Sequence, residues 1–222
     1  MNNSKIITID GPSGVGKGTL AQALAKHLNY KFLDSGAIYR LAALHCSRNG
    51  TSLDNETEAY KTLGNLDIRF EIGNCSIKTI LANNDVSKEI RTEKIGMLAS
   101  KIAVYPTVRE ILLNKQRDFA TELGLVADGR DMGTVVFPDA KHKFFLDANS
   151  QVRAQRRFNQ LKEKNQNPNF ETILADIEKR DFQDRNRKIA PLKPADDAIV
   201  IDTSDLSAEE VFDKVLDTIK NN

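Results

Sequence analysis

The sequence predicts an α/β fold, a parallel sheet covered by helices on both faces. Three observations carry this reading. Short apolar runs rich in β-branched residues alternate along the chain with segments of helical apolar spacing. The first of these runs opens directly into a glycine-rich loop and a helix. The alternation is interrupted once, from about residue 65 to about residue 102, by a period-two pattern that fits a small antiparallel sheet.

The first run, Ile6 to Ile9, reads as a buried strand, and Leu20, Leu24 and Leu28 give the segment from Thr19 to Leu28 a helical stripe. Between them lie Gly11, Pro12, Ser13, Gly14, Val15, Gly16, Lys17, Gly18 and Thr19. Strand, glycine loop and helix in that order are the context of a P-loop. Its glycines let successive N–H groups turn toward an anion, and the helix N-terminus adds partial positive charge. These nine residues are therefore assigned to nucleotide phosphates, with Lys17, on a surface loop, reaching the β- and γ-phosphates. One departure stands out: Gly18 occupies the position where the general motif has Ser or Thr. Direct metal ligation by the usual hydroxyl is thus not assigned, and the metal ligands stay open.

Composition narrows the function. At 222 residues the chain fits one domain, residues 1–222, with room for an insertion. A net charge of +1 offers no global field for nucleic acid or for an anionic membrane. Cys46 and Cys75 lack metal-ligand spacing and suit free thiols in a reducing compartment. The opening residues lead straight into the first strand without a leader pattern, and no apolar run approaches a membrane span. A cytoplasmic enzyme of small molecules, acting as a monomer, is the expectation.

Further along, Tyr30 to Asp34 reads as a strand and Ala37 to Arg48 as a helix, with Tyr39 and Arg40 in its first turns. Ile68, Phe70 and Ile72 alternate with polar residues, Gly73-Asn74 makes a hairpin turn, and Ser76 to Leu81 returns. After a turn at Asn83 to Asp85, Val86 to Ile90 continues the insert. Pro106 opens a helix that Gly124 is expected to stop. Strands follow at Leu125 to Asp128, His142 to Asp147 and Ala198 to Asp202. Between the last two lie a helix capped by Asn149 or Ser150, a polar tract from Glu163 to Asn169, and a helix from Phe170 to about Asn186. Ser207 and Glu210 form a capping box for the final helix.

Asp128 ends a hydrophobic strand, where P-loop proteins hold a carboxylate that orients the metal and its waters. A regulatory GTPase would need Asn-Lys-x-Asp at a strand end. The nearest match, Asn114 to Asp118, is a residue too long and lies mid-helix. What the chain does offer is arginine: Arg40, Arg91, Arg109, Arg130, Arg156, Arg157, Arg180, Arg185 and Arg187. Guanidiniums around a P-loop suit transfer between two phosphates, because they offset the repulsion between donor and acceptor. A phosphate acceptor is already anionic and needs no general base, which fits a chain with three histidines, none of them in these motifs.

Four segments together resemble the bacterial cytidylate kinases: Ile9 to Thr19, Leu33 to Arg40, Ala127 to Ala140, and Arg180 to Arg187 with its Arg-Asp-x-x-Asp-Arg-Asn-Arg pattern. Gly18 is the form that nucleoside monophosphate kinases use at that position. The resemblance implies a P-loop kinase fold with five parallel strands in the order 2-3-1-4-5, a CMP-binding insert at 65–102 and a short lid at 153–169. It implies transfer of the γ-phosphoryl of ATP to CMP or dCMP with Mg²⁺. Ser35, Arg109 and Asp131 would read the base. Arg40 and Arg130 would grip the CMP phosphate, beside Tyr39, with Arg187 between phosphate and base. Ser100, Arg180 and Asp184 would meet the ribose, and Lys17, Arg156 and Arg157 the transferring group. The alternatives are a uridylate or dual pyrimidine kinase and a non-catalytic nucleotide sensor.

Overall fold

A computed structural model describes residues 5–73 and 77–221. Its helices are α1 (Lys17–Leu28), α2 (Ser35–Arg48), α3 (Glu56–Leu63), α4 (Glu93–Ile102), α5 (Pro106–Arg117), α6 (Ser150–Glu163), α7 (Phe170–Arg185) and α8 (Ala208–Asn221). The strands are β1 (Ile6–Asp10), β2 (Lys31–Asp34), β3 (Ile68–Ile72), β4 (Ile77–Leu81), β5 (Asn84–Asp85), β6 (Leu125–Gly129), β7 (His142–Asp147) and β8 (Ile199–Asp202). A five-stranded sheet runs in the order β2-β6-β1-β7-β8, and β3-β4-β5 form a separate sheet. Counting only the strands of the larger sheet, this is the expected order 2-3-1-4-5.

β1 pairs in parallel with both β6 and β7, Ile9 lying opposite Asp128 and Phe144. All five of its residues are buried. Chain connections leave on opposite sides of such a strand, so its carboxyl end is the crevice where open α/β sheets bind ligands. The glycine loop sits there, between β1 and α1.

Contacts divide the chain into two compact units, residues 1–30 with 122–222, and residues 31–121. In the second, β3 and β4 are antiparallel with Ile68 opposite Leu81. Asn74 of the expected hairpin turn, Cys75, and Ser76 of the returning strand lie outside the described residues. Val86 to Ile90 is not a strand. After β5 the Ser87 hydroxyl accepts from the Thr79 N–H at 2.8 Å, ending the ladder, and the Ile90 N–H bonds the Val86 carbonyl at 3.0 Å, starting a helical turn. α5 ends at Arg117, short of Gly124. Gly124 instead lets the Tyr30 ring lie against the backbone, within 2.7 Å of where a Cβ would stand. The capping box at the start of α8 forms as expected: Ser207 N–H donates to Glu210 at 2.8 Å, and Glu210 N–H to the Ser207 hydroxyl at 3.2 Å.

Candidate functional site

In the unit made of residues 1–30 and 122–222, the glycine loop is fixed by the sheet beneath it. Gly11 has φ +147°, and a Cβ there would lie 2.1 Å from the Leu146 carbonyl oxygen, so only glycine lets the chain leave β1 beside β7. Gly16 caps α1 with no side-chain cap hydrogen bond, and a helix N-terminus of this kind suits an anion. Lys17 is not a surface residue. It is the first residue of α1, 6% exposed, and its ammonium turns back to donate to the Pro12 carbonyl at 2.8 Å. Gly14, Gly16 and Thr19 line a cavity of about 440 Å³ together with Arg156, Arg157 and Thr203. Arg156 donates to the Thr203 carbonyl at 2.5 Å and the Leu206 carbonyl at 3.4 Å, and Arg157 to Gln160 at 2.6 Å.

Asp128 is half-buried near the end of β6, its Oδ2 3.3 Å from where a Gly18 Cβ would stand. A side chain at 18 would crowd this carboxylate, so glycine there lets Asp128 stand close to the loop. This arrangement fits Mg²⁺, which takes one or two carboxylates and completes its shell with phosphates and water.

A carboxylate absent from the sequence reading supports the next segment. Asp10, 4% exposed at the end of β1, accepts from the Met132 and Gly133 N–H groups, both at 2.8 Å. It thereby holds the start of a π-helical turn, Met132–Val136, that directly follows Arg130 and Asp131. Burial pushes its pKa from 3.8 up to about 6; the Gly133 and Met132 N–H groups oppose this, and Asp131 adds to it. The folded state therefore holds this proton more tightly than the unfolded chain. The stabilising share of Asp10 is full below about pH 4 and is lost as pH rises through about 6, amounting to ~3 kcal/mol. Thermal melts should show the excess in Tm of the wild type over Asp10→Asn larger at about pH 4.5 than at about pH 7.5. An excess that grows with pH would contradict it.

Arg130, half-buried, donates through Nε to Asp184 at 2.8 Å, and Arg187 donates to the other Asp184 oxygen. Burial would raise the pKa of Asp184, which is 2% exposed, but Arg130 and then Arg187 and Arg180 hold it below the ordinary range. Arg180 is crowded in turn. Desolvation first and Arg130 second lower its pKa, although the residue's surface as a whole remains exposed. Three guanidiniums around one carboxylate leave net positive charge, suited to an anion or to ribose hydroxyls. Arg180 and Asp184 lie one turn apart on α7 and Arg187 just past its end, a spacing that made this cluster visible in the sequence.

In the unit of residues 31–121, Asp34 caps α2 by accepting from the Ala37 N–H at 2.8 Å, while Arg91 donates to its other oxygen at 3.0 Å. This cap buries Ser35 in the first turn of α2, ahead of Tyr39 and Arg40. Arg40 donates to the Ile90 carbonyl at 2.8 Å and the Thr92 carbonyl at 3.1 Å. Its guanidinium lies 2.9 Å from where a Gly96 Cβ would stand, so Gly96 makes the room it occupies. Ser100, one turn further along α4, donates to the Gly96 carbonyl at 3.1 Å. The Arg109 guanidinium lies 6.0 Å from the centre of the Tyr39 ring, within cation–π range. Arg40, Ser100, Tyr39 and Arg109 are thus gathered around α2 and α4.

A parallel sheet centred on β1, a glycine loop opening α1, and a buried lysine folded over that loop define a P-loop nucleotide-binding protein. The fold agrees with a solved structure of an uncharacterised protein from Eubacterium ventriosum, at TM-score 0.52 and 16% identity, covering 98% of each chain. The sequence profile of the cytidylate kinase family matches residues 7–221. Cytidylate kinase 1 of Haemophilus influenzae is 55% identical over 95% of this chain and 91% of its own. The cytidylate kinase of Pasteurella multocida is 51% identical over 99% of this chain and 97% of its own. The chain belongs to the cytidylate kinase family.

Proposed function

We propose that the protein transfers the γ-phosphoryl group of ATP to CMP or dCMP, giving ADP and CDP or dCDP by direct in-line displacement. The observation that carries this is the P-loop with Lys17 turned over it, in a chain whose family match spans residues 7–221. The loop N–H groups and Lys17 would hold and polarise the β- and γ-phosphates, with Arg156 and Arg157 lining the same cavity. Arg40 and Arg130 would hold the acceptor phosphate, whose oxygen attacks without a general base. Ser35, Arg109 and Asp131 would read the cytosine ring, and Ser100, Arg180 and Asp184 the ribose. Asp128 would orient Mg²⁺ and its waters beside the glycine loop, where the ion would supply positive charge against that of the phosphates.

The insert at 65–102 would serve the acceptor and the segment 153–169 the lid. Among the described residues no helix is long and apolar enough to cross a membrane, and we place the enzyme in the cytoplasm as a monomer. The test is a panel of nucleoside monophosphates as acceptors in a coupled assay for ADP. CMP and dCMP should exceed UMP, AMP and GMP by at least about tenfold in kcat/KM. A UMP rate equal to that of CMP would instead favour a dual pyrimidine kinase, and no ADP with any acceptor a nucleotide sensor.

A further inference from the structure

Arg153, in the first turn of α6, is 3% exposed. Burying a guanidinium costs several kcal/mol unless its charge is paired and its donors are used. Here they are used on three separate elements. Nε donates to the Ala148 carbonyl at 2.9 Å, just past the end of β7. Nη1 and Nη2 form a fork to the two Asp181 oxygens on α7, at 3.1 and 2.5 Å. Nη1 also donates to the Ser13 carbonyl at 3.0 Å, inside the glycine loop.

The Ser13 bond has a directional consequence. The peptide joining Ser13 to Gly14 is planar and trans, so its C=O and N–H point opposite ways. Pinning the carbonyl on Arg153 aims the Gly14 N–H away from the guanidinium. Gly14, held at φ +80°, lines the cavity it shares with Gly16 and Thr19. A charge on the carbonyl oxygen also polarises the peptide and strengthens its N–H as a donor. A free glycine-rich loop would sample many orientations of this peptide, and ordering it at binding would weaken donor affinity.

We propose that Arg153 is a positioning residue for the donor nucleotide: it presets the Ser13–Gly14 peptide so that the Gly14 N–H is ready for a phosphate oxygen, and Asp181 holds Arg153 in that orientation. Asp181 suits the task because it sits on α7 between Arg180 and Asp184 and draws its own order from the same helix. Arg153 is then the fixed base of the proposed lid segment. This inference rests on the ATP-dependent kinase reading above.

The experiment is equilibrium binding of ATP and of CMP, each alone, to the wild type, Arg153→Lys, Asp181→Asn and the double variant. Lysine keeps the charge but is a point donor, unable to serve Asp181, Ala148 and Ser13 together. Arg153→Lys should raise the Kd for ATP about tenfold while the Kd for CMP stays within about twofold. Asp181→Asn should give a smaller loss in the same direction, and the double variant should lose no more ATP affinity than Arg153→Lys alone. Asp181→Asn carries the test by itself should Arg153→Lys fail to fold. An equal loss of ATP and CMP affinity would mean general loosening and would overturn the proposal, as would unchanged ATP affinity in a folded variant. Wild-type protein that bound no ATP would overturn the kinase reading as well.

Discussion

Lys17→Ala should lose phosphoryl transfer by a factor of roughly 10² to 10³ in kcat, with a smaller change in KM for ATP. The ammonium lies over the glycine loop, 2.8 Å from the Pro12 carbonyl, where it would meet a phosphate without first being ordered. A preset charge of this kind contributes most as negative charge builds on the transferring group, and less to ground-state binding. Its burial adds a condition. At 6% exposure the lysine is enclosed by the loop, so the alanine variant also leaves the Pro12 carbonyl without this donor and opens space around the stem. Lys17→Met keeps most of the stem while removing the charge and its bond to Pro12, and should show the same loss of kcat with a smaller drop in Tm. Steady-state kinetics beside thermal melts separate the two effects. Turnover of Lys17→Met at the wild-type rate would remove the lysine from the mechanism.

Local signals explain which parts of this protein could be read in advance. Ile6 to Ile9, Leu125 to Asp128 and His142 to Asp147 are short apolar runs bounded by turns, and they form the three central strands. Ser207 with Glu210, and Asn149 before its helix, announced helix starts through interactions within three residues. α3 is announced only weakly, although Asn55 and Glu58 supply a similar cap, the Asn55 side chain accepting from the Thr57 and Glu58 N–H groups. Its apolar face amounts to Ala59 and Leu63, too little periodicity to attract notice.

What stayed hidden depends on distance along the chain. Asp10 meets Met132 and Gly133 across 122 and 123 residues, and Arg153 meets Ser13 across 140. No spacing rule reports such partners, because tertiary folding alone brings them together. Burial of Lys17 was hidden for a different reason: a loop residue reads as exposed, whereas Lys17 opens α1 and turns its side chain back over the loop to Pro12, only five residues earlier. The candidate site was therefore legible where motifs are local and dark where side chains buttress those motifs from afar.

The proposed choice of cytosine over uracil gives the second large effect. Cytosine presents an N4 amino donor where uracil presents an O4 acceptor, and at N3 cytosine accepts where uracil donates. An ionised Asp131 only accepts, so it would bond the cytosine amino group but face a repelling lone pair on uracil. Arg109 only donates, which suits N3 and O2 of cytosine and conflicts with the uracil N3–H. Ser35 can do either and discriminates less. Asp131 is half-buried, immediately ahead of the π-helical turn whose first N–H groups Asp10 secures, so its backbone is held from beneath. A buried charged partner left unpaired costs about 1–3 kcal/mol, or roughly tenfold to a hundredfold in selectivity. Asp131→Ala should therefore lower kcat/KM for CMP far more than for UMP and narrow their ratio by that factor. Arg109→Met should narrow it less, since Ser35 keeps a donor for the base. Both variants should bind ATP as the wild type does, because neither residue belongs to the glycine loop. A CMP-to-UMP ratio unchanged in Asp131→Ala would take the carboxylate away from the base and leave it as a residue that shapes the turn after β6.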